Sequence, residues 1–334
     1  MNHAPRNRKP PLGIRLMHLV RRDPDVSAMS PDEVVAFAAS QIRLAESRAA
    51  RLLTGRPARG VTIGWEHLAR PDRDIRVRVY RPTAATPAPL PLLLHVHGGG
   101  FMGTAVQCDW INSHLAARLS AVVVSVEHRL VAPGVPMSAA VDDGWDALRH
   151  LVEHAAEWGV DPARFAVAGE SAGGMIAAMT AIRAARSGVP LRAQVLVNPC
   201  VDLTATALDH PSMTEYADTP TLTVERLKAF RRLAVSGDAD ARGISPLHAD
   251  DLSGLAPALV VIPVLDPLAD HGRVYADRLR EAGTPAEVSE HDHAGHAFIS
   301  MPTLVPQAKD ARERITGFLR THLAATAARG TRTP

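Results

Sequence analysis

At 334 residues, 46% of them hydrophobic, the chain can bury a large core and fits one catalytic domain with an accessory layer. Basic residues (37 Lys plus Arg) nearly balance acidic ones (35 Asp plus Glu), the net charge is +2, and the scattered arginines form no stripe, which argues against a nucleic-acid partner. Cys108 and Cys200 form no paired-spacing motif; they point to a reducing compartment and leave a single disulfide open.

The N-terminus, MNHAPRNRKPPLGIRLMHLVRRDPDV, is basic, and its apolar stretch is too short and too interrupted for a secretory signal or a membrane span. The expectation is a soluble, cytoplasmic protein without stable membrane insertion. Taken alone, the basic stretch is a weak argument for association with a lipid surface. Ser30-Pro31-Asp32-Glu33 then combines an N-cap, a helix-starting proline and a capping-box glutamate. Val34, Phe37, Ala38, Ile42, Ala45, Ala49 and Leu52 follow on one face, predicting an amphipathic helix that stops near Gly55 and Pro57.

Strand-like runs lie around 61–68, 75–80, 91–97, 121–127, 164–169, 193–198, 257–264 and 285–290, with helical patterns between most of them. This alternation predicts an α/β fold whose central sheet is mainly parallel after an antiparallel start and is flanked by helices. Two regions stand outside the pattern, residues 1–58 and about 201–245.

The third run, Leu92-Leu93-Leu94-His95-Val96-His97, leads directly into Gly98-Gly99-Gly100-Phe101. Glycines let backbone N–H groups approach a reacting atom closely, and losing one such donor from an oxyanion hole costs about 3–4 kcal/mol. Gly98 and Gly99 are candidate donors. The run lacks the Lys of a phosphate loop and the helix-opening G-x-G-x-x-G spacing. His95 and His97 share one face by period two and read as hydrogen-bonded histidines at a sheet end, with His97 helping to shape the glycine loop.

The fifth run, Phe165 to Ala168, leads into Gly169-Glu170-Ser171-Ala172-Gly173 and then an alanine-rich helix from Met175 to Ala185. A strand, a tight glycine-flanked turn and a helix hold a serine hydroxyl out at a sheet end, beside the N–H groups of the helix start. Ser171 is the candidate nucleophile, and Ala172 the third oxyanion donor. Glu170 reads either as a brace for the elbow and the loop near His296 or as a solvated carboxylate. Trp110, Trp145 and Trp158 read as packing residues.

A serine needs a base and an orienting carboxylate. The run 257–264 ends at Leu265-Asp266-Pro267-Leu268, and the run 285–290 leads into His291-Asp292-His293-Ala294-Gly295-His296. Asp266 stands just past its strand, while the competing Asp270 lies about one helical turn further on. The order Ser171, Asp266, His296 is that of a nucleophile-elbow hydrolase. A metal cluster of His291, Asp292, His293 and His296 is the weaker reading, because close spacing in one loop without a second ligand group is a poor metal pattern.

With these motifs in order, the chain resembles the hormone-sensitive-lipase-like family of α/β-hydrolase carboxylesterases. The residues that carry the likeness are HGGGF (97–101), VDPARFAVAGESAGG (160–174), SPLHADDLSGLAPALV (245–260), DPLAD (266–270) and GHAF (295–298), within roughly residues 60–325. The resemblance implies an α/β-hydrolase fold and an ester hydrolase with no metal or organic cofactor. It makes Ser171 the nucleophile, His296 the base, Asp266 its partner, and Gly98, Gly99 and Ala172 the oxyanion donors. It also implies that residues 1–58 and 201–245 pack together as a helical cap on a catalytic domain of residues 59–326, with 327–334 as a tail. HRLVAPGVP (128–136) departs from the family's usual tyrosine-arginine-leucine-alanine-proline-glutamate run. His271, Gly272 and Val264 also replace more polar or acidic residues. These changes bear on the pocket and the surroundings of Asp266.

The function expected is a serine carboxylesterase acting on small to medium acyl esters, with a small-molecule ester as its partner and a homodimer left open. The rival within enzymes is a deacetylase or amidase that tailors a secondary metabolite. Outside enzymes, the rival is a ligand-binding protein on a hydrolase fold, against which the intact Ser171, Asp266 and His296 argue.

Overall fold

The computed structural model describes residues 9–20, 28–84, 89–100, 103–130, 132, 135–235 and 240–325. Phe101 and the tail 327–334 lie outside them. Eight strands form one sheet in the order β1-β2-β4-β3-β5-β6-β7-β8. β1 (Val61–Ala69) and β2 (Asp74–Pro82) pair antiparallel, β2 pairs antiparallel with β4 (Val122–Val126), and β3 (Leu90–Val96), β4, β5 (Val160–Glu170), β6 (Ala193–Val197), β7 (Ala258–Leu265) and β8 (Ala286–Gly295) run parallel. The predicted antiparallel start and parallel centre are both present.

β4, β6 and β7 are buried along their whole length, as continuous apolar runs must be when helices cover both faces of a parallel sheet. Period two sorts the side chains. Leu93, Val123, Ala166, Val195 and Val261 face a layer built by α4 (Asp109–Leu119) and α10 (Gln307–Leu323). Leu92, Leu94, Val124 and Val167, with Val96 and Val260, face α5 (Met137–Glu153), α6 (Ala172–Arg186) and α9 (Ala269–Glu281). Trp110 and Trp158 are buried within these layers and Trp145 packs at the edge of one, as read from the sequence.

Helix α2 (Pro31–Glu46) begins with the predicted capping box, in which the Ser30 N–H donates to Glu33 Oε2 at 2.7 Å and the Glu33 N–H to Ser30 Oγ at 3.4 Å. Its end is a correction. The apolar spacing carries the helix on through Ala49 and Leu52, but α2 stops at Glu46 and Ser47 is extended. Ser47 Oγ accepts the Ala50 N–H at 3.2 Å, a local bond that competes with helix continuation. A separate short helix, α3 (Arg51–Thr54), follows and ends at Gly55, whose φ of +80° and position against Trp110 suit only glycine.

Over the C-terminal ends of the central strands, Val34 and Ala38 of α2 pack with Ala229 and Phe230 of α8 (Val224–Ala234). The short helix α7 (Pro211–Glu215) is tied down where the Ser212 N–H donates to Asp270 Oδ2 at 2.8 Å.

Candidate active site

Ser171 sits between β5 and α6 with φ +55° and ψ −117°, a strained conformation for a residue with a side chain. The turn is held from several sides. The Ser171 N–H donates to Val197 O at 2.9 Å, and its carbonyl accepts the Cys200 N–H at 3.1 Å. The flanking glycines are steric necessities, since a β-carbon on Gly169 would collide with the Gly173 carbonyl and one on Gly173 with the Val96 and His97 carbonyls. The G-x-S-x-G spacing is thus the trace of backbone packed on backbone.

The hydroxyl so presented meets the other two sequence candidates. Ser171 Oγ lies 2.8 Å from His296 Nε2, and His296 Nδ1 lies 2.8 Å from Asp266 Oδ2. Asp266 can only accept, so His296 carries its proton on Nδ1 and leaves Nε2 as acceptor for the serine. Asp266 is fully buried, and its Oδ1 accepts the Leu268 N–H at 2.9 Å, which fixes the carboxylate plane. Asp270, the competing carboxylate, is not in this chain of bonds. It holds Ser212 and Arg273 (2.8 Å each), and the Arg273 contact helps keep its carboxyl below the usual range.

The glycine loop lies against the elbow. A β-carbon on Gly98 would stand 2.8 Å from Glu170 O and 3.4 Å from Ser171 Cβ. His97 Nδ1 contacts Gly98 O at 2.9 Å; the carbonyl can only accept, so Nδ1 carries the proton. Fixing that carbonyl also fixes the Gly99 N–H, which points the opposite way across the planar trans peptide. Burial pushes His97 down to about 4, so it is neutral over the physiological range. Its ring stacks on His128 at 4.4 Å, and burial also lowers His128 to about 4. Ala172 opens α6, so its N–H has no intrahelical acceptor.

Of the two readings of Glu170, the buried brace holds. Its Oε2 accepts from Ser300 Oγ at 2.9 Å, in the 3₁₀ turn Phe298–Ser300 just after His296, and burial raises its carboxyl. The neighbouring histidines take separate partners, His291 Nε2 on Ser289 Oγ and His293 Nδ1 on Lys9 O. Cys108 and Cys200 are both free and buried.

Two cavities open from Ser171. The larger, about 310 Å³, is bounded by α2, α3, the segment 220–230 and the loop carrying His296. The smaller, about 40 Å³, is enclosed by Cys200, Leu203, Ala207, Met213 and Leu268. Leu227 and Phe230 of α8 stand in the walls of both. Sequence reasoning missed these two residues, because an amphipathic helix pattern does not say which side chain lands over the serine.

A family model described as alpha/beta hydrolase fold matches residues 93–300. The chain belongs to the hormone-sensitive-lipase-like carboxylesterase family of α/β hydrolases. It is 40% identical to carboxylesterase NlhH of Mycobacterium tuberculosis over 261 residues, covering 76% of this chain and 79% of that protein. Esterase LipI of the same organism is 38% identical over 253 residues, 73% and 77% of the two chains. Among solved structures, the hyperthermophilic esterase from Pyrobaculum calidifontis superposes with a TM-score of 0.82 at 31% identity, covering 95% of this chain and 100% of that one. The protein is an ester hydrolase of this family.

Proposed function

We propose that the protein hydrolyses small to medium carboxylic esters through a Ser171-His296-Asp266 triad and an acyl-enzyme intermediate. The observation that carries this reading is the pair of 2.8 Å contacts running from Ser171 Oγ through His296 to Asp266 at the floor of the cleft. His296 Nε2 takes the hydroxyl proton as Ser171 Oγ attacks the ester carbonyl carbon, and buried Asp266 stabilises the resulting imidazolium. The charge that collects on the carbonyl oxygen is met by the N–H groups of Gly98, Gly99 and Ala172. His296 then passes its proton to the departing alcohol oxygen, and a water activated in the same way releases the acid.

This proton delivery assigns the two cavities. His296 borders only the larger one, so the alcohol leaves through it and the acyl group occupies the smaller. In the cap formed by residues 1–58 and 201–245, α2, α3 and α8 wall the larger cavity and residues 203–231 cover the smaller, which keeps out water. An acyl space of about 40 Å³ suits short chains. A panel of p-nitrophenyl esters of increasing acyl length tests this; kcat/KM should be highest for the shortest chains, and equal or better turnover of long emulsified triglycerides would overturn it.

A further inference from the structure

Every well-exposed large apolar side chain among the described residues falls within residues 12–53. The sharpest concentration is on α1 (Leu12–Val20), where Leu12, Leu16 and Leu19 are 65%, 53% and 81% exposed. Their i, i+4, i+7 spacing puts them on one face of the helix. The opposite side is what anchors α1, because Ile14 is buried in the main core, Met17 packs beside it, and Gly13 lies against Leu304. The helix is therefore held in place with a leucine stripe turned to solvent. Val35 and Leu44 of α2 and Leu52 of α3 add exposed apolar surface on the same stretch of chain.

A contiguous apolar face on a soluble protein marks an interaction surface, and the charge around this one selects the partner. Residues 1–22 carry Arg6, Arg8, Lys9, Arg15, Arg21 and Arg22 and no Asp or Glu, in a chain where the two signs otherwise balance. Lys9 and Arg15 are themselves exposed. A second copy of the chain is a poor match, since a two-fold contact through α1 sets the exposed Lys9 and Arg15 against their own like charges. An anionic lipid surface satisfies both features, with headgroups pairing the basic residues and the leucines entering the acyl boundary. The helix also adjoins the cleft, for Met17 on its buried side and the exposed Leu44 on α2 both line the larger cavity.

We propose that α1, through its exposed leucines together with Lys9 and Arg15, docks the protein on an anionic phospholipid surface, with the mouth of the larger cavity beside the site of contact. The role is peripheral, and no helix among the described residues is long and apolar enough to cross a membrane.

The test is co-sedimentation of the full chain with extruded phosphatidylcholine vesicles, with and without phosphatidylglycerol, at low and high salt. The protein should pellet with the phosphatidylglycerol vesicles and be released by salt. The Leu12→Ser/Leu16→Ser/Leu19→Ser variant and the Lys9→Glu/Arg15→Glu variant should each lower that partition by about tenfold or more. Turnover of a short soluble ester by both variants should stay at the parent level, because none of these five residues lines either cavity. Failure to pellet with either vesicle, or equal salt-insensitive binding to both, overturns the proposal. A concentration-dependent dimer that the leucine variant abolishes, without vesicle binding by the parent, assigns the face to a second copy and overturns it as well.

Discussion

The ring of Phe230 lies against the bare backbone of Gly100: a β-carbon placed there would stand 2.5 Å from Phe230 Cε2. Gly100 also has φ +61°, so both space and conformation demand glycine. Through this contact the helix above the site touches the loop proposed to bind the oxyanion. Because Phe230 stands in the walls of both cavities, Phe230→Ala should join them. The kcat/KM ratio of octanoyl to acetyl esters should rise by about tenfold, a gain on the scale of a few buried methylenes. The removed ring should also lower stability by about 3 kcal/mol. An unchanged chain-length profile in a folded variant would take the partition role away from Phe230.

Ser171→Ala should leave the fold intact, since the side chain is small and its loss removes no core packing. Activity should fall by about 10³-fold or more, and a His296→Ala/Ser171→Ala double variant should be no worse than the single change, because the pair acts as one unit. Mass spectrometry after a fluorophosphonate should find one label, on Ser171. Strictly additive losses would point to another base.

The two carboxylates four positions apart give a paired test. Asp266→Asn removes the acceptor 2.8 Å from His296 Nδ1 and should lower kcat by about 10³–10⁴-fold. Asp270→Asn instead weakens the tie to Ser212 and Arg273; it should keep most activity and cost about 1 kcal/mol of stability. The reverse ranking in folded proteins would transfer the orienting role to Asp270.

Buried histidines set an acid limit on stability. Burial lowers His95 to about 3 and His97, His128 and His271 to about 4, whereas the unfolded chain titrates near 6.5. Between those values the unfolded state binds more protons, so stability is complete above about pH 6.5 and falls as the pH drops toward 4, by up to about 1.4 kcal/mol per unit for each histidine. Denaturant midpoints measured from pH 8 to pH 4 should trace that decline. A flat profile would mean that these rings are solvated or paired in the folded state.

The histidines at 291, 293 and 296 hold Ser289, Lys9 and the Ser171–Asp266 pair respectively; both ring nitrogens of His296 are engaged, so a metal shared with it would have to displace Ser171 or Asp266. Prolonged dialysis against a chelator should leave ester turnover unchanged. Loss of activity with recovery on adding zinc would overturn the serine mechanism.

Local chemistry made the strands, the elbow and the order of the three polar residues legible in the sequence. Continuous apolar runs such as Ala258–Leu265 have to be buried on both faces, and Gly169 and Gly173 mark where backbone meets backbone around Ser171. The end of α2 was not legible, because the apolar period continues past Glu46 while Ser47 turns extended and its side chain takes the Ala50 N–H. Nor was the choice between the two readings of Glu170, which rests on a hydroxyl at Ser300, 130 positions away. The sequence by itself determined which residue types stand at the strand ends, since those positions follow from hydrophobic period and turn chemistry. Only the tertiary structure decided which side chains converge on Ser171, why Asp266 faces His296 while Asp270 turns to Ser212, and where Leu227 and Phe230 divide the cleft. Such contacts depend on the packing of chain segments far apart in sequence, and no local pattern encodes the distance between them.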